Sequence, residues 1–178
     1  PRVSTPLIQI ALGVLIALGR MSKFKPLSWL MRAYISFMRG TPLMLQLLMW
    51  YFGPHYLFGM SIRGYRFPAI IIGFSMNYAA YFAEIYRGGM ETIPQGQYEA
   101  AEVLGYSKMQ TFFKIILPQV IKAILPSVTN EIITLVKDTS LAFTLAYNEM
   151  FSLAKQIAAS QTSFTPFIIA GVFYFVAK

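Results

Sequence analysis

The sequence predicts an all-α, polytopic membrane fold, and three observations predict it. Residues 3–19, 40–62, 67–83 and 156–177 carry no charge at all. A bilayer core about 30 Å thick is crossed by about 20 mostly apolar residues, so several of these runs can span it. The chain is 56% hydrophobic and only 12% charged, which excludes an ordinary soluble domain. The apolar runs also lack period-2 alternation, although 16% of residues are aromatic. Backbone amides in lipid must then be satisfied within helices rather than around a barrel. The expected architecture is a single transmembrane domain over 1–178 with five spans, without internal repeat, low-complexity segment or soluble domain.

Each element has a local reason. The first apolar run predicts a span near 4–21; it has the length of a signal peptide core, but basic GRMSKFK follows it instead of a small-residue cleavage site. A start inside an apolar run and an end at Lys178 suggest a piece of a longer chain. The second helix is expected over 26–52, bent at Thr41-Pro42, because proline removes a backbone donor and crowds the preceding turn. A third span covers 66–90. A short helix at 97–104 and another at 108–116 follow, then a fourth span at 119–136. The stretch KDTSLAFTLAYNEM interrupts the pattern, leading through a helix at 149–159 to a final span from Pro166.

Basic residues set the orientation. Arg20, Lys23, Lys25, Arg32 and Arg39 sit between the first two apolar runs, and Arg87, Lys108, Lys114 and Lys122 flank or follow the third. Arg63 and Arg66 alone mark the connection between them. Short loops rich in Lys and Arg stay in the cytoplasm, so the N-terminus is expected outside and Lys178 inside. The net charge of +8 is scattered among apolar helices, a pattern of membrane topology rather than of nucleic-acid binding.

Enzyme chemistry finds little support. His55 is the only histidine and lies in FGPHYLFG, where it reads as an interfacial turn residue. There is no Gly-x-Ser-x-Gly elbow, no His-Glu-x-x-His helix and no cysteine. No Gly-Lys pair exists, so a phosphate-cradling P-loop is excluded and ATP hydrolysis, if it drives this protein, resides on a separate chain.

Ionisable and amide groups within apolar spans are the candidate pathway residues, because each needs a cavity, a partner or an interface. Glu84 ends the third span, with Arg87 one turn later as its expected ion-pair partner. Glu131, deep in the fourth segment, is the foremost candidate for a carboxylate open to a transport pathway. Asn77 and Tyr81 on the third span and Asn130 on the fourth join it. Lys137, Asp138 and Ser140 fall where polar residues are expected to break the helix, with a Lys137–Asp138 pair as the structural alternative. Trp50 and Tyr51 suit the interfacial belt, and the Met and aromatic residues around them pack helices or meet lipid.

Three stretches carry a resemblance. YEAAEVLGYSKMQTFFKIILPQ, with Gly105 four residues after Ala101 and Ile116-Leu117-Pro118 downstream, resembles the EAA loop of the membrane subunits of bacterial ABC importers. FMRGTPLMLQLL (37–48) and NYAAYFAEIYRGGMETIPQGQYEAAEVLG (77–105) look like the polar amino-acid (histidine/glutamine) type of type I importer permease, and LVKDTSLA is similar to its segment before the last helices. The resemblance implies that loop 95–118 is cytoplasmic and that its helix docks on an ATPase subunit through Tyr98, Glu99, Ala100, Ala101, Glu102, Leu104 and Gly105. It further implies ATP and Mg on that partner with no cofactor here, a second permease copy, an extracytoplasmic amino-acid-binding protein, and the bacterial inner membrane as location. Gly105 suits a left-handed helix end, Glu99 and Glu102 lie near the helix's positive half, and the two alanines offer little bulk to an approaching surface. Permeases for methionine or a quaternary amine share the loop but fit RGTP and AEIYRGG less well; a channel subunit without a motor would have no use for a docking helix in water.

Overall fold

The computed structural model of the chain describes residues 4–61, 64–145 and 150–176, and among them every regular element is helical. In order these are α1 (Ser4–Arg20), α2 (Lys25–Gly40), α3 (Leu43–Phe58), α4 (Arg66–Glu91), α5 (Gln95–Val103) and α6 (Lys108–Gln110). A π-helical turn (Thr111–Ile116), α7 (Leu117–Asp138), a 3-10 segment (Thr139–Leu145), α8 (Met150–Gln161) and α9 (Thr165–Val176) complete them. The expectations for Arg63 and Glu149 lie outside the described residues.

The packing centre is α4, which lies against α1, α2, α3 and α7. Its alanines make this possible: Ala79, Ala80 and Ala83 are inaccessible beside the buried rings of Tyr78 and Phe82. Small side chains let helix backbones approach closely where lipid supplies no hydrophobic driving force. Gly13 of α1 serves the same end, since a Cβ there would come within 2.6 Å of Phe82 Cβ.

The single bent helix expected over 26–52 is instead two helices. Thr41 is extended (φ −118°, ψ 147°), as the residue before a proline tends to be, and Pro42 starts the next helix rather than kinking the last. The break exposes carbonyls that side chains then satisfy. Gln46 Nε2 donates to the Met38 carbonyl at 2.9 Å and to Thr41 Oγ1 at 2.6 Å, while Asn77 Nδ2 reaches Met38 O at 3.1 Å and Gln46 Oε1 at 3.0 Å. A buried backbone break is tolerable only when its polar groups are paired in this way. Gln46→Leu is therefore expected to destabilise the protein by about 1–3 kcal/mol, the cost of stranding buried polar groups. Thermal unfolding in detergent measures this, and an unchanged midpoint would contradict it.

The expected boundary at Leu117-Pro118 is absent. One continuous helical run extends from Lys108 to Ala142, 35 residues long, with a mean hydropathy of 1.4 in its most apolar window. The physical reason is the π turn: Leu117 N–H bonds back to the Phe112 carbonyl, five residues earlier, and this wider winding makes room for the Pro118 ring and its missing donor in the first turn of α7. At the other end the polar KDTS stretch tightens the winding into the 3-10 segment from Thr139.

Among the described residues, that run alone is long and apolar enough to cross a bilayer by itself. Leu7–Arg20 and Thr165–Val176 are apolar but shorter. The break at Thr41 divides the second expected span, and α4, though 26 residues long, includes Arg66, Glu84, Arg87 and Glu91.

Candidate functional site

A cavity of about 210 Å³ opens where the α2–α3 junction meets α4 and α7. Glu131, Thr134 and Asp138 line it from α7, and their spacing of three and then four residues places them on one helix face. Asn77 and Tyr78 line it from α4 together with Tyr81 one turn further on, and Thr41 and Leu43 close the side formed by the junction. The helix break that satisfied its own carbonyls thus also shapes one wall.

Charge in the cavity is divided. The Tyr78 hydroxyl donates to Asp138 Oδ2 at 2.7 Å, which holds that carboxylate against α4. Glu131 is half-buried and shares the cavity with Asp138. The Arg39 guanidinium lies 5.3 Å from the centroid of the Tyr81 ring, a cation–π distance. Two carboxylates, a ring-backed guanidinium and several hydroxyls can recognise a small zwitterion bearing additional positive charge.

The structure brings Asn77, Tyr81, Glu131 and Asp138 together and places the other pathway candidates elsewhere. Asn130 and Lys137 are exposed and Ser140 is half-buried, none of them lining the cavity. Lys137 and Asp138 form no ion pair within 4 Å among the described residues, because successive helical residues point about 100° apart and Asp138 turns to Tyr78. Glu84 is outside the cavity: Arg87 holds it at 2.9 Å, as their spacing predicts, and Arg20 of α1 holds it too. Sequence reasoning missed Thr41, Leu43, Tyr78 and Thr134; the last was accessible from the periodicity that starts at Glu131, whereas the others depend on which helix lies opposite.

At the foot of α4, three residues, Thr92, Ile93 and Pro94, lead into α5. Pro94 is extended and precedes the first turn, and Gly105 ends the helix in the left-handed region (φ +76°). There Gly105 N–H bonds to Glu102 O at 2.9 Å and Tyr106 N–H to Ala101 O at 3.0 Å, the paired bonds of a Schellman stop. Two residues later Ser107 and Gln110 form a reciprocal capping box that starts the next helix. Glu99, Ala100, Glu102, Leu104 and Gly105 are exposed and Tyr98 is half-buried.

Ala101 requires a correction. It is 1% exposed, so its small size serves packing within this chain and not the approach of another surface. The large apolar side chains that project here are Val103 and Leu104, 87% and 73% exposed. Val103 was missed because a lone valine in EAAEVLG has no spacing that tells an outward from an inward face. His55 lies in the last turn of α3 rather than in a turn between elements, with its ring Nδ1 2.8 Å from Met60 O.

These features define a class, the type I ABC importer permease, an all-helical membrane subunit with a polar cavity between helices and an exposed capped helix at one end. One chain of an amino acid ABC transporter crystallised with histidines superposes with a TM-score of 0.86 at 36% identity, covering 97% of this chain and 79% of that one. The MetNI methionine ABC transporter in an inward-facing conformation shares the fold at 18% identity, with a TM-score of 0.71 over 98% of this chain and 85% of its own. Residues 9–177 match the family described as binding-protein-dependent transport system inner membrane component, and the chain belongs to that family. The arginine transport system permease protein ArtQ of Bacillus subtilis is 39% identical across 98% of this chain and 79% of its own length. The L-cystine transport system permease protein TcyB of the same organism is 40% identical across 83% of this chain, and this chain spans 62% of that relative's length. A putative glutamine transport system permease of Rickettsia bellii is 39% identical across 94% of this chain and 76% of its own.

Proposed function

We propose that this chain is the permease of an ATP-driven importer for polar amino acids in the bacterial inner membrane, one membrane domain with five spans and its N-terminus outside. The observation that carries the substrate class is the cavity lined by Glu131, Asp138 and Tyr81, with the Arg39 guanidinium over the Tyr81 ring. A zwitterionic amino acid presents an ammonium to the carboxylates and a carboxylate to the guanidinium, and a basic side chain adds a second cation for which the second carboxylate is available.

The rest of the machine lies on other chains. A second copy, identical or similar, completes the pathway, and an extracytoplasmic binding protein delivers amino acid to the outer face. A cytoplasmic ABC ATPase, with ATP and Mg, docks on α5. Closure of the ATPases pushes the paired α5 helices together and opens the outer side; reopening after hydrolysis releases substrate inward. Asn77, Tyr81, Glu131 and Asp138 form the substrate contacts of this scheme, while Glu99, Glu102, Val103 and Leu104 face the motor.

Uptake competition in vesicles containing the full-length permease with its ATPase and binding protein tests this. Arginine or lysine is expected to compete more strongly than glutamine, and competition by no amino acid would end the proposal. Glu131→Gln is expected to weaken uptake of cationic amino acids about tenfold, since a hydrogen bond to a charged group contributes about 1.5–3 kcal/mol, while neutral ones change little. Equal effects on both would remove Glu131 from the pathway.

A further inference from the structure

We infer that Glu84 is a positioning residue for energy coupling, an ionic hub that locks α1, α2 and α4 together so that a push on α5 reaches the cavity wall. The inference rests on the importer reading above and adds a role for a carboxylate that lies outside the cavity.

No Asp or Glu occurs before Glu84, although Arg20, Lys23, Lys25, Arg32 and Arg39 all precede it. Glu84 is accordingly the first carboxylate along the chain that the arginines of α1 and α2 can use. Arg20 Nε of α1 lies 2.9 Å from Glu84 Oε1, at ion-pair distance without hydrogen-bond alignment. Arg87 of α4 holds Oε2 through Nη2 at 2.9 Å and Nε at 3.0 Å. Arg39 of α2 approaches the same oxygen at 3.9 Å. One side chain that is only 14% exposed thus gathers cations from three helices. An exposed ion pair would hold little, but partial burial and several partners strengthen this one and make the loss of its single carboxylate costly.

The position of the hub gives it a mechanical consequence. Arg87 also binds Glu91, the last residue of α4, and after a three-residue link α5 begins at Gln95. In the other direction Arg39 lies over Tyr81, one turn before Glu84, and Tyr81 lines the cavity. A force on α5 enters at Glu91 and Arg87, passes to Glu84, and leaves through Arg39 and Tyr81 at the cavity and through Arg20 into α1. Without the central carboxylate three guanidiniums would repel one another, and the end of α4 next to α5 would be less firmly joined to α1 and α2.

The test measures ATP hydrolysed and amino acid taken up in the same proteoliposomes, with the full-length permease, its ATPase and its binding protein. Glu84→Gln is expected to keep hydrolysis within about twofold of the unmodified complex and to lower the solute moved per ATP about tenfold, within the usual range of coupling between sites. Glu84→Asp, which keeps the charge, is expected to restore most of the ratio, and Arg20→Gln to lower it by about half as much on a logarithmic scale, because Arg87 still holds Glu84. An unchanged ratio in Glu84→Gln, or a parallel fall of hydrolysis and uptake, would overturn the inference in favour of a merely stabilising ion cluster. Should Glu84→Gln fail to assemble, Arg20→Gln, which touches no proposed substrate contact, decides alone, and an unchanged ratio there is equally fatal. Failure of the unmodified complex to take up any amino acid would instead refute the importer reading, so the two are separable.

Discussion

Replacing Val103 and Leu104 together by aspartate is expected to reduce uptake at least about tenfold and to release the ATPase from the purified complex, with membrane insertion unaffected. The two side chains are 87% and 73% exposed at the end of a helix whose other outward residues are polar or small. Large apolar groups projecting from a water-facing element mark a contact surface, and a few buried anchors usually supply most of an interface's free energy. Charges in their place would have to be desolvated without partners. Gly105→Val is expected to act on the same surface by another route: its φ of +76° costs a residue with a side chain about 1–2 kcal/mol, so the Schellman stop frays and the anchors lose their fixed direction. Co-purification of the ATPase with the double aspartate variant, together with normal uptake, would place the docking surface elsewhere. Ala101→Leu belongs to a different class, because Ala101 is buried within the chain, and its effect should register first as lost thermal stability.

The largest effect on folding is expected from Gly89→Leu. A Cβ at Gly89 would lie 2.1 Å from Ile124 Cγ2 and 3.3 Å from Val120 Cγ1, where α4 meets α7. Ile124 cannot swing aside easily, since a β-branched side chain in a helix has one strongly preferred rotamer. Overpacking of this kind costs about 1–3 kcal/mol and more when backbones must separate, against a helix-propensity gain of at most about 1 kcal/mol for removing a glycine. The clash wins. Gly88, its neighbour, meets nothing within 4 Å, so Gly88→Ala is expected to be neutral or stabilising by up to about 1 kcal/mol. Thermal unfolding of Gly88→Ala and Gly89→Ala in parallel checks the argument, and equal midpoints for the two would refute it. The adjacent glycines of AEIYRGG thus have different roles: one admits α7, and the other faces open space.

Much of the fold was legible because its signals are local. Uncharged runs and the Gly105 stop need only neighbouring residues to be read, and α4 and α5 came out within two residues of their expected ends. At two boundaries a proline was misread, and the helix expected to end at 52 also runs on to Phe58. A proline announces a missing donor, but whether the chain breaks, as at Pro42, or widens into a π turn, as before Pro118, depends on what else can bond the freed carbonyls. Gln46 and Asn77 decide the first case from positions 5 and 36 residues away from Thr41. The site was half legible for a similar reason: Glu131 and Asn77 announce themselves by polarity within apolar segments, whereas Tyr78, Thr41 and Leu43 look like ordinary packing until α7 is placed opposite.

Composition and local pattern by themselves predicted a helical membrane protein with a capped polar helix between its apolar runs, and determined that these 178 residues hold no Gly-Lys phosphate loop, since each of these follows from residues adjacent along the chain. Only the tertiary structure decided that Glu84 answers to three arginines, that Ala101 turns inward, and that Glu131 and Asp138 share a cavity with Tyr81. A charge or a small side chain takes its role from what faces it, and helices brought together from distant parts of the chain supply that partner.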